Sequence, residues 1–345
     1  MVDISGVNRR TVLAITAGAL TGCVSESDEE PTSVNSDGNA GNGDGGSGNS
    51  DGSEQQSGDG TEEQTEAEAV VGEIVGDDEI QLVVSNVRTA TSLGMFSEAD
   101  PDNEFVVVEV AIKNVSDDFI TVSNLLQTRL RDSEGFSYTQ TFVGEGNTFN
   151  DGQLAPGEVE RGEVGFEVPQ DADGLTFTFD FQAFAVFDFD RVEIDLEQEA
   201  SPTEDVDQNL RENVFDVGET VEFSDVEVTV HGTETQSSLG QFTQAESGNE
   251  YVIVDIEILN GTDEQQTVST ILQMLLKDGE GWSYQEDLMA TSQLTRNFDE
   301  GTPLASGENR RGRLAYEIEE GLSPLYWVFE FTLWTEGDKT FWELR

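Results

Sequence analysis

The sequence predicts an all-β protein built from two tandem two-sheet sandwiches, and three observations carry that expectation. Apolar residues alternate with polar ones at a period of two. The alternating segments recur as two similar sets along the chain. No amphipathic stretch longer than about two helical turns interrupts them. About seven or eight such segments in each set of about 130 residues, punctuated by Gly, Asp and Asn, suit antiparallel strands with one covered face.

The chain begins with a leader. Residues 1–10 carry Arg9 and Arg10 against the single acid Asp3. Thr11 to Leu20 is an apolar run of about ten residues. It suits the core of a signal peptide and is half the roughly 20 residues a spanning helix needs. Asn8-Arg9-Arg10-Thr11-Val12-Leu13 resembles a twin-arginine export signal, with Asn8 and Val12 where that pattern has Ser or Thr and Phe. The route, twin-arginine or general, stays open. Leu20-Thr21-Gly22-Cys23 matches a lipoprotein cleavage box, and Cys23 is the only cysteine in the chain. Residues 1–22 are therefore expected to be a signal peptide and Cys23 the lipidated residue on the outer face of the cell membrane.

Residues 23–69 read as an acidic tether. From Val24 to Ala69 the segment has thirteen acids, no base and no aromatic residue. Such a composition buries too little apolar surface to offset chain entropy, so disorder is expected. As a flexible coil of about 46 residues it would reach about 40 Å.

Charge excludes one class of partner. The chain has 72 acidic and 16 basic residues and a formal net charge of -56; only Lys113, Lys277 and Lys339 are lysines. Nucleic acid would require a basic footprint. The acids are dispersed, 27 within residues 70–197 and 26 within residues 214–345. Dispersal favours adaptation to concentrated salt over one electrostatic partner. Leader, lipobox and an acid-rich, lysine-poor surface together resemble an extracytoplasmic lipoprotein of a halophilic archaeon.

The folded part reads as an internal duplication, with repeats at 70–197 and 214–345 joined by a linker at 198–213. At a shift of 146, Leu93-Gly94-Met95-Phe96 recurs as Leu239-Gly240-Gln241-Phe242, and Asn103-Glu104-Phe105 as Asn249-Glu250-Tyr251. Glu134-Gly135-Phe136-Ser137-Tyr138 recurs likewise as Glu280-Gly281-Trp282-Ser283-Tyr284. The shift becomes 150 after an insertion between about 287 and 303, so that Leu154 to Glu158 matches Leu304 to Glu308. Val106, Val108, Val110 and Ile112 fall on one face of a strand, as do Val252, Val254, Ile256 and Ile258. Asn124 to Leu130 and Thr270 to Leu276 fit either helix or strand.

The motifs resemble a known family. A strand ends in Asn114-Val115-Ser116 or Asn260-Gly261-Thr262, and an Asp-x-Glu-Gly-aromatic-x-Tyr turn follows at Asp132 to Tyr138 or Asp278 to Tyr284. A stretch from Leu154 to Pro169 completes the pattern. Both copies are similar to the telokin-like immunoprotective extracellular family, the second copy departing from it at Ser306 and at Ala315 to Ile318. The resemblance implies two immunoglobulin-like sandwiches, an extracellular location and a binding or structural role without catalytic residues.

Candidate chemistry is sparse. His231 is the sole histidine; it has Ser85 as its counterpart and no nucleophile motif beside it, so a surface role is expected and no enzyme. Asp132, Glu134, Asp278 and Glu280 are weak calcium candidates, set against a plain hairpin role for the same turns. Zinc has no ligand set and no cofactor is implied. Asn114 and Asn260 are glycosylation sequons, or else turn residues repeated with the domain. Arg310, Arg311 and Arg313 form a basic cluster, read either as cross-strand pairs or as an interaction patch.

Two functions remain open. One is a lipid-anchored binding module that meets another envelope protein. The other is a ligand-capture lipoprotein serving a transporter, which a pocket between the repeats lined by Tyr, Trp and Arg would favour.

Overall fold

In the computed structural model, the described residues are 66–345 apart from 94–96, 124–126, 142–147, 182–190, 241–242 and 334–336. The signal peptide, the lipobox with Cys23 and nearly all of the expected tether lie outside them. Strands make up 56% of the described residues and helices 5%, as the period-two pattern requires.

The first repeat contains β1 (Glu66–Val71), β2 (Ile80–Ala90), β3 (Asn103–Asn114), β4 (Thr128–Arg131), β5 (Val159–Pro169), β6 (Thr176–Asp180) and β7 (Arg191–Glu199). Strands β5, β3 and β2 are antiparallel neighbours in one sheet, and β1, β7, β6 and β4 follow one another in the second. β1 starts inside the span read as tether and pairs in parallel with β7. The core lies between the sheets. Val106, Val108, Val110 and Ile112 point into it from β3, and Phe177 and Phe179 from β6. Phe166 meets Phe177 edge-on across the layers, with ring centroids 6.1 Å apart.

The second repeat rebuilds this plan with β8 (Val214–Asp216), β9 (Val226–Gln236), β10 (Asn249–Asn260), β11 (Met274–Asp278), β12 (Asn309–Glu319), β13 (Leu325–Glu330) and β14 (Lys339–Glu343). β9, β10 and β12 form one sheet; β8, β14, β13 and β11 form the other. Trp327 packs on Trp342 at 5.4 Å and donates from Nε1 to Tyr316 Oη at 3.1 Å, tying the two sheets together. Each repeat has a β-bulge at one equivalent position, around Ser85 in β2 and His231 in β9. The extra residue locally increases strand twist.

The ambiguous segment at Thr270 to Leu276 is half helix and half strand. Helix α1 (Thr270–Gln273) is capped by Ser269, whose side chain accepts from Leu272 N, and Met274 then starts β11. The insertion in the second repeat contains helix α2 (Leu288–Ser292), capped by Asp287 through Ala290 N at 2.9 Å.

The linker does not stand clear of the domains. β7 runs two residues into it, and Val206 is buried against Val83, Ala111 and Val159 of the first repeat. Asn209 N donates to Gly157 O, Arg211 N to Pro156 O, and Lys113 Nζ to Asp207 O.

Candidate functional site

Each sequence-predicted site within the described residues has a structural task in its own repeat. Asn114 and Asn260 are fully buried. Asn114 Nδ2 donates to Asp118 O at 2.8 Å and Leu154 O at 2.9 Å, while its Oδ1 accepts from Ser116 N and Oγ. Asn260 repeats this with Glu264 O, Leu304 O and Thr262. Both amide hydrogens are engaged in each case, which leaves none for a glycan in the folded domain. This buried clasp, in which Ser or Thr two residues on closes the turn, fits the reading of Asn114 and Asn260 as repeated turn residues.

Asp132 and Asp278, two of the weak calcium candidates, each organise a turn. Asp132 Oδ1 accepts from Glu134 N and Phe136 N, and Oδ2 from Tyr138 Oη at 2.5 Å. Asp278 holds Glu280 N, Trp282 N and Tyr284 Oη in the same positions. Tyr138 beside Asp132 holds that carboxyl below its ordinary range. Burial, with Asp132 adding to it, pushes Tyr138 up to about 12. No group of three or more metal-ligating side chains gathers among the described residues.

The arginine cluster is paired locally. Arg310 donates to Asp299 O, Thr302 O, Pro303 O and Glu308. Arg311 grips Asp255 with both ends of its fork at 2.8 and 2.9 Å, and Arg313 reaches Glu234 at 3.4 Å. The cross-strand reading fits this geometry, while the interaction-patch reading finds no guanidinium without a partner in the cluster. His231 Nε2 lies 3.0 Å from Glu257 Oε2.

The charged site that sequence reasoning missed is the joint between the repeats. Glu158 and Glu160, at the start of β5, point into the outer face of the second repeat's β11–β13–β14 sheet. Lys277 Nζ lies 3.0 Å from Glu158 Oε1 and 2.5 Å from Glu160 Oε2. Lys339 Nζ lies 3.0 Å from the same Glu158 oxygen and 3.4 Å from Glu330. Ser283 Oγ donates to Glu160 at 2.9 Å. Glu158, Glu160, Lys277 and Lys339 are all buried. Burial alone would raise the Glu158 pKa, but Lys339 and Lys277 outweigh it and hold the carboxyl below its ordinary value. Burial would lower Lys339, and Glu158 and Glu330 raise it instead. Burial, with Glu158 adding, raises Glu330. Two cations thus bridge three carboxyls away from water, where an unpaired charge would cost several kcal/mol.

Backbone and apolar contacts frame this cluster. Arg161 N donates to Gly281 O at 2.9 Å. A Cβ on Gly281, whose φ is 93°, would lie 2.7 Å from Val159 Cγ1, so only glycine lets the chains approach this closely. Ala155 packs with Val328 and Phe341, joined by Phe119, Leu210, Leu275 and Tyr326. All three lysines of the chain reach across a boundary here: two between the repeats and Lys113 to the linker.

Beside the joint runs a cleft of about 280 Å³, lined by Glu109, Arg161, Asp205, Gln208, Glu280 and Trp282 among others. It has the Trp and Arg named above but no tyrosine. The Arg161 guanidinium sits 6.0 Å from the Trp282 ring centre and pairs with Asp205 at 2.8 Å and Glu109 at 3.3 Å. Its Nε donates to Glu280 O. The cleft therefore carries its own cation among its carboxylates.

Fold and joint together define a tandem β-sandwich protein made by duplication of one domain. The chain belongs to the DUF4352 family, a domain of unknown function, whose pattern matches at residues 69–187 and again at 215–339. No curated protein matches it. Similar solved structures include the yjhA protein of Bacillus subtilis, at 18% identity and a TM-score of 0.33 over 37% of this chain and 99% of that one. The secreted protein MPT63 of Mycobacterium tuberculosis is 13% identical, with a TM-score of 0.28 over 37% and 95% of the two chains. A candidate lipoprotein of Bacillus subtilis, ycdA, is 10% identical, with a TM-score of 0.31 over 54% and 73%. Among the described residues no helix is long and apolar enough to cross a membrane.

Proposed function

We propose that this protein is a non-catalytic interaction module of the cell envelope, anchored through lipid on Cys23 and held off the membrane of a halophile by its acidic tether. The observation that carries this reading is the joint. Two sandwiches are fastened through buried charges, so a single tether presents one two-domain body with strand edges and turns outward. The polar groups that could have suggested catalysis hold turns or pair across strands instead. The leader and cleavage box supply the route out of the cell, and the resemblance to telokin-like immunoprotective extracellular domains agrees with an external role.

The anchor is tested with Cys23→Ala. The expected result is loss of the protein from the membrane fraction or retention of an uncut leader. Unchanged processing and membrane association would remove the lipoprotein reading.

Capture of a small molecule or ion for a transporter is the second reading, and the cleft beside Arg161 and Trp282 is what favours it. A bound anion would have to displace Asp205 from Arg161, and a bound cation would meet Arg161 already lying against Trp282. The interaction-module reading needs no such displacement and is preferred.

A further inference from the structure

The outer sheet face that receives Glu158 and Glu160 in the second repeat has a counterpart in the first. Lys277 corresponds to Arg131, Gly281 to Gly135, Trp282 to Phe136 and Ser283 to Ser137 at the shift of 146. Strand register supplies the rest. Glu330 pairs with Lys339 across β13 and β14, as Asp180 pairs with Arg191 across β6 and β7. Both cations, the acid between them and the serine that reaches Glu160 thus recur in the first repeat. Phe136, the counterpart of the half-buried Trp282, is 62% exposed.

What differs is the surround. Leu275, Val328 and Phe341 make the second repeat's face apolar, whereas Arg129, Thr178 and Glu193 stand at those places in the first. The charged receptor is kept and the permanently dry packing is not. A face of that kind suits reversible docking, in which ion pairing selects the partner and little apolar area is buried.

We propose that the outer face of β4, β6 and β7 is a docking surface for an acidic strand edge of another envelope protein. That edge would present two carboxylates two residues apart, as Glu158 and Glu160 do. The proposal rests on the interaction-module reading and names its partner chemistry. An incoming carboxylate meets Arg131 and competes with Glu193 for Arg191, which lie 3.7 Å apart. A second copy of this chain is not the partner. The strand start of its second repeat places Asn309 and Arg310 where Val159 and Glu160 stand, and Arg310 would face Arg131 with like charge.

The test converts that mismatched edge into a matched one. In 1 M KCl the Debye length is about 3 Å, so net charge no longer keeps chains apart beyond contact range. The mature chain carrying Asn309→Val and Arg310→Glu is compared with wild type by sedimentation velocity. Self-association at least tenfold stronger than wild type, and abolished by adding Arg131→Glu, is expected. A variant that sediments as wild type, or whose association survives Arg131→Glu, overturns the proposal. Because Arg310 also holds its own loop, a second measurement leaves the second repeat untouched. A labelled peptide of residues 153–163 is titrated with wild-type chain, expecting affinity to fall at least fivefold with Arg131→Glu or when its Glu158 and Glu160 are replaced by Gln. Equal affinity in all three titrations overturns the proposal as well. Neither experiment involves the membrane, so failure here leaves the Cys23 result standing, and failure of the anchor leaves this face standing.

Discussion

Arg161 and Arg311 occupy the same position in the two repeats and pair with the equivalent acids Glu109 and Asp255, yet they live in different solvents. The Arg161 side chain is 6% exposed, roofed by Trp282 and the linker, while that of Arg311 is 50% exposed. The difference extends across the whole outer face. Val83, Ala111 and Val159 of the first repeat lie buried under Val206, and the matching positions of the second are Thr229, Glu257 and Asn309. Duplication supplied two identical faces; substitution made one a seam and left the other wet. An ion pair inherited by both repeats therefore has two energetic meanings, set by what covers it.

The largest expected effect breaks the seam. Lys277→Ala leaves Glu160 without a cation in a buried site and Glu158 with Lys339 alone, and should cost about 3–5 kcal/mol. Arg131→Ala, its equivalent in the first repeat, should stay within about 0.5 kcal/mol. Urea unfolding of the two variants reads the difference directly. Similar losses would mean that the joint contributes nothing that the outward face lacks.

A glycine pair sharpens the same comparison without touching charge. Gly135 and Gly281 have φ of 86° and 93°, so alanine at either one carries left-handed strain of about 1–2 kcal/mol. Around Gly135 nothing lies within 4 Å of an added Cβ, whereas at Gly281 it meets Val159. Gly281→Ala should therefore lose about 1–3 kcal/mol more than Gly135→Ala. Equal losses would show that the repeats do not press together at this turn in solution.

Most of the fold could be read before the structure, and the joint could not. The period of two places Val106 to Ile112 and Phe177 to Phe181 on inward faces because strand geometry permits only one alternation. The Asp-x-Glu-Gly-aromatic-x-Tyr turn is equally local: Asp132 satisfies partners only two to six residues away. Lys277 meets Glu160 from 117 residues away, and Lys339 meets Glu158 from 181. Among 72 acids nothing marks those two as buried. Two signals were nonetheless present. Two of the three lysines converge on the joint, and apolar residues stand at outward strand positions in one repeat where the other has polar ones.

Alkaline titration separates the two turns by their burial. Tyr138 is raised to about 12 from an ordinary value of 10.0; Tyr284 is raised further, by deeper burial and by Asp278. A raised tyrosine favours the fold while it keeps its proton. That contribution is whole below pH 10, where the unfolded chain begins to ionise, and is lost as pH rises through the folded value. Stability should fall between pH 10 and about 12, with Tyr138→Phe removing part of the slope. Tyrosinate absorbance should show the first repeat's turn titrating before the second's. Simultaneous titration would mean that the seam does not shield Tyr284.

The smallest effect belongs to the exposed pair, and salt distinguishes it from the buried one. Arg161→Ala removes hydrogen bonds to two carboxylates and one carbonyl under cover, and should cost about 1.5–3 kcal/mol. Raising KCl from 0.1 to 1 M shortens the Debye length from about 10 to 3 Å, yet the Arg161 side chain is only 6% exposed and buried pairs are screened much less, so most of that cost should persist. Arg311→Ala should lower the melting temperature by a small fraction of the Arg161→Ala shift at 0.1 M, and that remnant should fade by 1 M. The background moves the opposite way: with 26 acids against seven bases in residues 214–345, the wild type itself should gain stability as salt rises. Each variant is therefore referred to wild type at the same salt. If the two arginines show the same cost and the same salt response, burial is not what separates the repeats, and the asymmetry between their faces would have to come from backbone packing at Gly281 instead.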